Sequence, residues 1–237
     1  MFASSLKQRS LKPERLDTGD YTPAEYAKWH REMRLLHGFF GEMRALRGSL
    51  LKELRNDDAE RVSILDVGAG SGRLLGAIRQ WSGNKKTFLV GAELSADAAL
   101  LIKHNSINGE IQAIQSDALE LPFADDSFDY VISTLFLHHL TDDQCVTLLG
   151  EIGRIARRKF FIIDLHRHAA AYYLYRIFSP LFLQRFTQED GALSILKSFR
   201  PGELESLARR AGFDNITVER SAAYRLVLSG KKKKAQA

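Results

Sequence analysis

Three acids and three glycines mark where this chain can do chemistry. Asp66, Glu93 and Asp117 each close a short apolar run, and Gly68-Ala69-Gly70-Ser71-Gly72 follows the first of them. Glycines at alternate positions clear Cβ atoms from a ligand's path and admit backbone angles that other residues resist. The helix start behind them, at Arg73-Leu74-Leu75, offers unpaired N–H groups. A nucleotide-like molecule can therefore lie directly against the backbone. Glu93, 21 residues beyond Gly72, can accept two hydrogen bonds from a ribose 2′,3′-diol, and its charge excludes a 2′-phosphate. Asp117 is placed to accept from an adenine amino group. Asp66 can orient the turn or attract a cationic ligand.

A second group is suited to moving a proton. His138 and His139 follow the apolar run that ends in Ser133-Thr134-Leu135, and Asp164 closes Phe161-Ile162-Ile163. Histidine titrates near operating pH, with an unperturbed pKa of about 6.5. Neighbours on a helix point about 100° apart, so one ring of the pair faces a common ligand; His138 is the preferred one. Asp164 can polarise a histidine or hold an acceptor hydroxyl. His166 and His168 raise the question of a metal. The chain has no i,i+4 histidine pair and no cysteine beside them, and no metal is expected.

The elements that must carry these residues alternate from Val62 onward. Strands are expected at 62–67, 86–92, 111–115, 130–133 and 160–164, with helices at 72–81, from Ser95 to Asn105, and at 142–156. This is the pattern of a mainly parallel sheet covered on both faces. A helix from Pro201 to Ala211, closed by Gly212, precedes strands at 216–220 and 224–228. Their short connection makes them an antiparallel hairpin. The fold class is α/β: a seven-stranded, mainly parallel sheet with an antiparallel last hairpin and helices on both faces.

Before the sheet, Thr22-Pro23-Ala24-Glu25 opens a helix carrying Tyr26, Trp29, Met33, Leu36 and Phe40, interrupted near Gly38 and Gly41. A second helix carries Met43, Leu46, Leu50 and Leu54. Residues 1–20 are polar, mixed in sign and expected to be loosely ordered. The division is 1–58 for the tail and helical cap, and 59–237 for the sheet domain, with 166–199 as a helical insertion. Ala169 to Phe186 is rich in aromatic residues. It reads as a helix pair packed on the core, or as a lid over an apolar or aromatic ligand beyond the strand ends. A membrane-surface contact is weakly supported, because Arg176 and Arg185 are its only cations.

The 237 residues are 45% hydrophobic and 27% charged, which suits one elaborated domain. One cysteine, Cys145, excludes an intramolecular disulfide framework. Neither a signal-peptide pattern nor a run of roughly 20 apolar residues is present, so a soluble, cytoplasmic protein is expected. The net charge of +5 owes much to Lys231-Lys232-Lys233-Lys234, read as a solvated tail ahead of nucleic-acid or anionic-membrane binding.

The glycine spacing narrows the ligand. A dinucleotide turn is G-x-G-x-x-G, and here Arg73 stands where the last glycine belongs. No G-x-x-x-x-G-K-[ST] loop occurs. Leu65-Asp66-Val67-Gly68-Ala69-Gly70-Ser71-Gly72 resembles motif I of the class I S-adenosylmethionine-dependent methyltransferases, and Glu93, Asp117-Ala118 and Phe128-Asp129-Tyr130-Val131-Ile132-Ser133 resemble that family's following motifs in order. The resemblance covers about residues 60–230. It implies a Rossmann-like fold and S-adenosylmethionine as cofactor. By it, Gly68 and Gly70 approach the methionine part, Glu93 holds the ribose, and Asp117 and Ala118 meet the adenine. The cofactor-binding set is Asp66, Gly68, Ala69, Gly70, Gly72, Glu93, Leu94, Asp117, Ala118, Thr134 and Leu135; the catalytic set is His138, His139 and Asp164.

Family members that methylate base amino groups carry Asn/Asp-Pro-Pro-aromatic where this chain has Ser133-Thr134-Leu135-Phe136, so nucleic acid is disfavoured. The run from Asp164 through Asp190-Gly191 to Phe199-Arg200 resembles a subgroup acting on phenolic or quinone-like metabolites, some beside polyketide pathways. The implied acceptor is a small aromatic or lipophilic molecule, methylated on oxygen or carbon, with a histidine as base, in a monomer or homodimer. The alternatives are a nicotinamide-dependent oxidoreductase and a non-catalytic S-adenosylmethionine-binding partner protein.

Overall fold

The computed structural model describes residues 6–39, 41–106 and 109–231. Phe40 and Lys232 to Lys234, singled out above, lie outside them. Seven apolar runs form one sheet: β1 (Arg61–Val67), β2 (Lys86–Glu93), β3 (Ile111–Gln115), β4 (Phe128–Thr134), β5 (Ala156–Leu165), β6 (Ile216–Ser221) and β7 (Arg225–Gly230). The order is β3-β2-β1-β4-β5-β7-β6. The first five strands are mutually parallel, and β7 runs antiparallel to both β5 and β6. The strand order reverses between β1 and β4, where open parallel sheets leave a crevice beyond their C-terminal ends. Register carries the chemistry there. Asp66 pairs with Gly91 and Ile132, Glu93 with Gln115, and Thr134 with Ile163, so the acids and Thr134 reach one edge.

Alternate residues of each strand feed two cores. On one face Leu65, Val67, Val131, Ile162, Leu226 and Leu228 meet α7 (Asp142–Ile155) and α10 (Pro201–Arg210) through Leu148, Leu149, Ile152, Leu204 and Leu207. On the other, Ile64, Ile132, Phe161, Ile163 and Val227 meet Leu75 and Ile78 of α5 (Arg73–Trp81). Ile102 of α6 (Ala96–Asn105) joins them, as do Leu46, Leu50, Leu51 and Leu54. These last four belong to α3 (Glu42–Gly48) and α4 (Leu50–Arg55), which form part of a covering layer. The single helix expected there breaks at Ser49, whose hydroxyl turns back to donate to the Ala45 carbonyl at 2.7 Å. Each such leucine contributes about 1.5–3 kcal/mol by burial.

Several boundaries shift from expectation, β4 for example running from Phe128 to Thr134, and two of them matter most. β5 begins at Ala156, four residues early, without a turn after α7. Its basic start reads as a loop, yet Arg157 pairs with Asp129 and Arg158 with Asp57 and Asp129, which keeps those charges at the sheet's far edge. The helix α2 (Pro23–Phe39) starts at the expected capping box, with Thr22 N–H to Glu25 Oε2 at 2.8 Å, but runs on through Gly38. Gly41 is the interrupting residue, with φ +78°.

The larger difference is the N-terminal segment. Residues 6–20 are pinned, not loose. Arg9 donates to the carbonyls of Lys197 at 2.8 Å and Leu140 at 3.0 Å, and its guanidinium lies 4.1 Å above the Phe199 ring. The fully buried Arg167 donates to the Leu6 carbonyl and pairs with Glu203. One helical turn, α1 (Arg15–Thr18), has its first N–H groups held by Asp190, from Arg15 at 3.0 Å and Leu16 at 2.9 Å. Lys197 and Asp190 belong to α9 (Arg185–Lys197), which follows α8 (Ala169–Phe178) and also packs on α2 through Glu32 and stacked Tyr21, Trp29 and Phe186. Among the described residues no helix is long and apolar enough to cross a membrane.

Candidate active site

β1 delivers the chain into the glycine turn. Gly68, Gly70 and Gly72 all adopt left-handed angles, with φ of +73°, +56° and +73°. They do so for different reasons. A Cβ on Gly68 would stand 2.8 Å from the Phe136 ring, and one on Gly72 would stand 3.0 Å from Ile102. A Cβ on Gly70 would meet nothing within 4 Å among the described residues. The outer glycines permit packing; the middle one borders open space. Gly70 N–H donates to Glu93 Oε1, tying the turn to the end of β2. Gly68 N–H and Ala69 N–H both donate to the Ala92 carbonyl.

Asp66 is 1% exposed, and neither carboxylate oxygen has a hydrogen-bond partner among the described residues. Burial first, then the charges of Glu93 and Glu42, push its carboxyl well above the ordinary carboxylate range. A buried carboxylate without partners is costly unless a donor or cation arrives. Burial likewise raises Glu93, against the Gly70 N–H that favours its charge. At the exposed rim, Asp117 accepts from Leu119 N–H at 2.8 Å, Leu94 is 70% exposed, and Ala118 packs against the core. The orphaned Asp66, the open side of Gly70 and Glu93 on the next strand fit a molecule with an ammonium group at one end and a ribose diol at the other.

Beyond β4 the chain bends sharply. Thr134 Oγ1 is buried without a partner among the described residues. Leu135 has φ +53°, a strained angle for a bulky residue, held by its N–H donating to the Ile163 carbonyl at 2.8 Å. A 3₁₀ turn, Leu137–His139, follows, and the Thr141–Gln144 capping box starts α7 at once. The turn sets the histidines apart. His138 is buried, with Nδ1 2.7 Å from Asp164 Oδ1 and its backbone N–H 3.1 Å from Oδ2. Burial alone would raise the Asp164 carboxyl; the His138 ring and the N–H groups of Leu165 and His138 outweigh it and hold it below its ordinary value. With Nδ1–H on the carboxylate, His138 Nε2 carries the free lone pair.

His139 is half-buried, its Nδ1 2.9 Å from Asp17 Oδ1, and the two rings lie 4.3 Å apart. Asp17 and Glu14, from the N-terminal segment, thus stand beside the histidines, and sequence reading missed both. Their spacing from one another shows only the capping of a short turn. Arg225, at the start of β7, was missed too: it is buried and its Nε lacks a partner among the described residues. His166 and His168 take no part in the pair. Burial and nearby cations bring His166 down to about 4, and His168 caps α8 by accepting from Ala170 N–H.

Residues 64–159, from β1 into β5, match a methyltransferase domain family. Over this stretch the chain carries a methyltransferase domain. Among curated relatives, a demethylmenaquinone methyltransferase of Roseiflexus sp. is 27% identical over 176 residues, covering 69% of this chain and 70% of the relative. A tRNA (carboxymethyluridine(34)-5-O)-methyltransferase of Arabidopsis thaliana is 32% identical over 101 residues, 42% of this chain but only 22% of that protein. The solved structure of PigF with SAH shares the fold, with a TM-score of 0.60 and 18% identity over 92% of this chain and 65% of that one. The matched stretch ends within β5, so residues 166–199 and the N-terminal segment lie outside it.

Proposed function

We propose that this methyltransferase acts on a small aromatic or lipophilic acceptor, on oxygen or an electron-rich carbon, with His138 as the base. The observation that carries this reading is the buried His138–Asp164 pair at the strand edge that also bears Asp66 and the glycine turn. S-adenosylmethionine, when bound, supplies an already activated methyl group, which leaves positioning and proton removal to the protein. Asp66, Gly70 and Glu93 would hold it. His138 Nε2 would take the acceptor's proton, and Asp164, fixed on Nδ1, would balance the imidazolium that forms. The Roseiflexus relative's named substrate, a demethylmenaquinone, supports a quinol-like acceptor. So does the apolar outer face of the insertion, where Ile177, Phe178, Leu181 and Phe182 are all more than half exposed. The setting that fits is a cytoplasmic enzyme of secondary metabolism.

Calorimetry tests the cofactor. S-adenosylmethionine and its demethylated product should bind in the micromolar range and NAD should not. Absent binding by a folded sample would sink the reading. Glu93→Ala should weaken the cofactor about tenfold or more, as loss of a charged hydrogen-bond acceptor does. A panel of phenols and quinols, scored for methyl incorporation, tests the acceptor class.

A further inference from the structure

The two histidines are prepared in the same way. Each has Nδ1 on an aspartate, His138 on Asp164 at 2.7 Å and His139 on Asp17 at 2.9 Å. A carboxylate on one ring nitrogen fixes the tautomer and turns the other nitrogen's lone pair outward, which is how metal-binding histidines are oriented. A third donor completes the group. Glu14 is 3% exposed, and its Oε1 faces Lys197 Nζ at 3.3 Å. Ligand atoms of Glu14, His138 and His139 lie within 4.8 Å of one another.

We propose that Glu14, His138 and His139 form a binding site for a divalent transition-metal ion. Two imidazoles and one carboxylate make a borderline donor set, suited to zinc, cobalt or ferrous iron and poor for magnesium or calcium, which prefer oxygen alone. Ligands on one ion at about 2.1 Å stand roughly 3 Å apart, so the group must close by rotation of the Glu14 side chain. Asp164 and Asp17 bring negative charge to the two rings, and burial holds the Glu14 carboxyl above its ordinary range. Lys197 lies 2.9 Å from Asp17 and 3.3 Å from Glu14, so an ion bound here would take over Lys197's part in neutralising these acids. Three protein ligands leave positions open for water or an acceptor oxygen. The ion and the acceptor's proton compete for His138 Nε2, so the loaded state is one in which that ring is not a base.

The site is independent of the cofactor reading, and its test needs neither acceptor nor turnover. Cobalt(II) is titrated into the tag-free full chain and followed by its visible absorption. A saturable band at one ion per chain is expected, displaced by zinc and untouched by magnesium in excess. Glu14→Gln and His139→Ala should each weaken cobalt at least tenfold, and Asp17→Asn, which frees the ring without removing a ligand, about tenfold. S-adenosylmethionine binding, measured on the same variants, reports that they are folded. Absence of the band, or cobalt affinity unchanged in Glu14→Gln and His139→Ala, overturns the proposal. Loss of S-adenosylmethionine binding in the parent with the cobalt band intact would instead count against the proposed function.

Discussion

Asp164 grips His138 twice, at the ring through Oδ1 and at the backbone N–H through Oδ2. One carboxylate therefore sets both the tautomer and the position of the ring. Asp164→Asn keeps the shape but can present an amide N–H to Nδ1, which stabilises the wrong tautomer. It should lower turnover about 10²–10⁴-fold, as should His138→Ala, with cofactor affinity unchanged by calorimetry. Full activity in either variant would remove the pair from the mechanism.

Gly68 and Gly70 share a backbone angle and should fail differently. Gly68→Ala adds the Phe136 clash to the left-handed cost and should destabilise the fold by roughly 2–5 kcal/mol in denaturant melts. Gly70→Ala meets nothing in the protein and should cost only about 1–2 kcal/mol. Its loss should fall on S-adenosylmethionine affinity. Equal stability losses in the two variants would contradict the division of roles.

Asp66 is an acid whose folded pKa lies above its unfolded one. The folded state holds the proton longer, so stability is greatest at low pH and is lost as pH rises above the ordinary carboxylate range. The slope approaches about 1.4 kcal/mol per pH unit within that window. Asp66→Asn should remove it. The variant should melt higher than the parent at pH 8 and nearly equal to it at about pH 3.5, while binding the cofactor more weakly. A constant offset across pH would show that the carboxyl is not the titrating group.

Asp190 holds α1 by its first two N–H groups, a cap worth about 1 kcal/mol. Asp190→Ala should expose Arg9, Lys12 and Arg15 to trypsin several-fold faster, with the sheet's melting temperature little changed. An unchanged cleavage rate would show that the contacts of Arg9 and Arg167 suffice.

Local chemistry made the sheet and the cofactor turn legible. The runs around Ile64, Val90 and Ile162 are mostly apolar because both faces are covered, and the glycine spacing with Glu93 belongs to one stretch of chain. Register then brought Asp66 and Thr134 together without further instruction. The N-terminal segment was illegible for the opposite reason. Arg9, Glu14 and Asp17 look like solvated charges, since their partners Lys197 and His139 stand more than a hundred positions away. β5's basic start misled likewise, because Arg157 and Arg158 are matched by Asp129 on β4 and by Asp57 ahead of β1.

The hold of Asp190 on α1 spans 175 positions, and that of Lys197 on Asp17 spans 180. A chain made from its N-terminus releases Glu14 and Asp17 first and their anchors near the end. The sheet can assemble through β1 to β5 in the meantime, from nearer pairings. Closing so long a loop is slow relative to local structure. The histidine pair is therefore covered by residues made long before the anchors that hold them, and its closure waits on the later part of the chain.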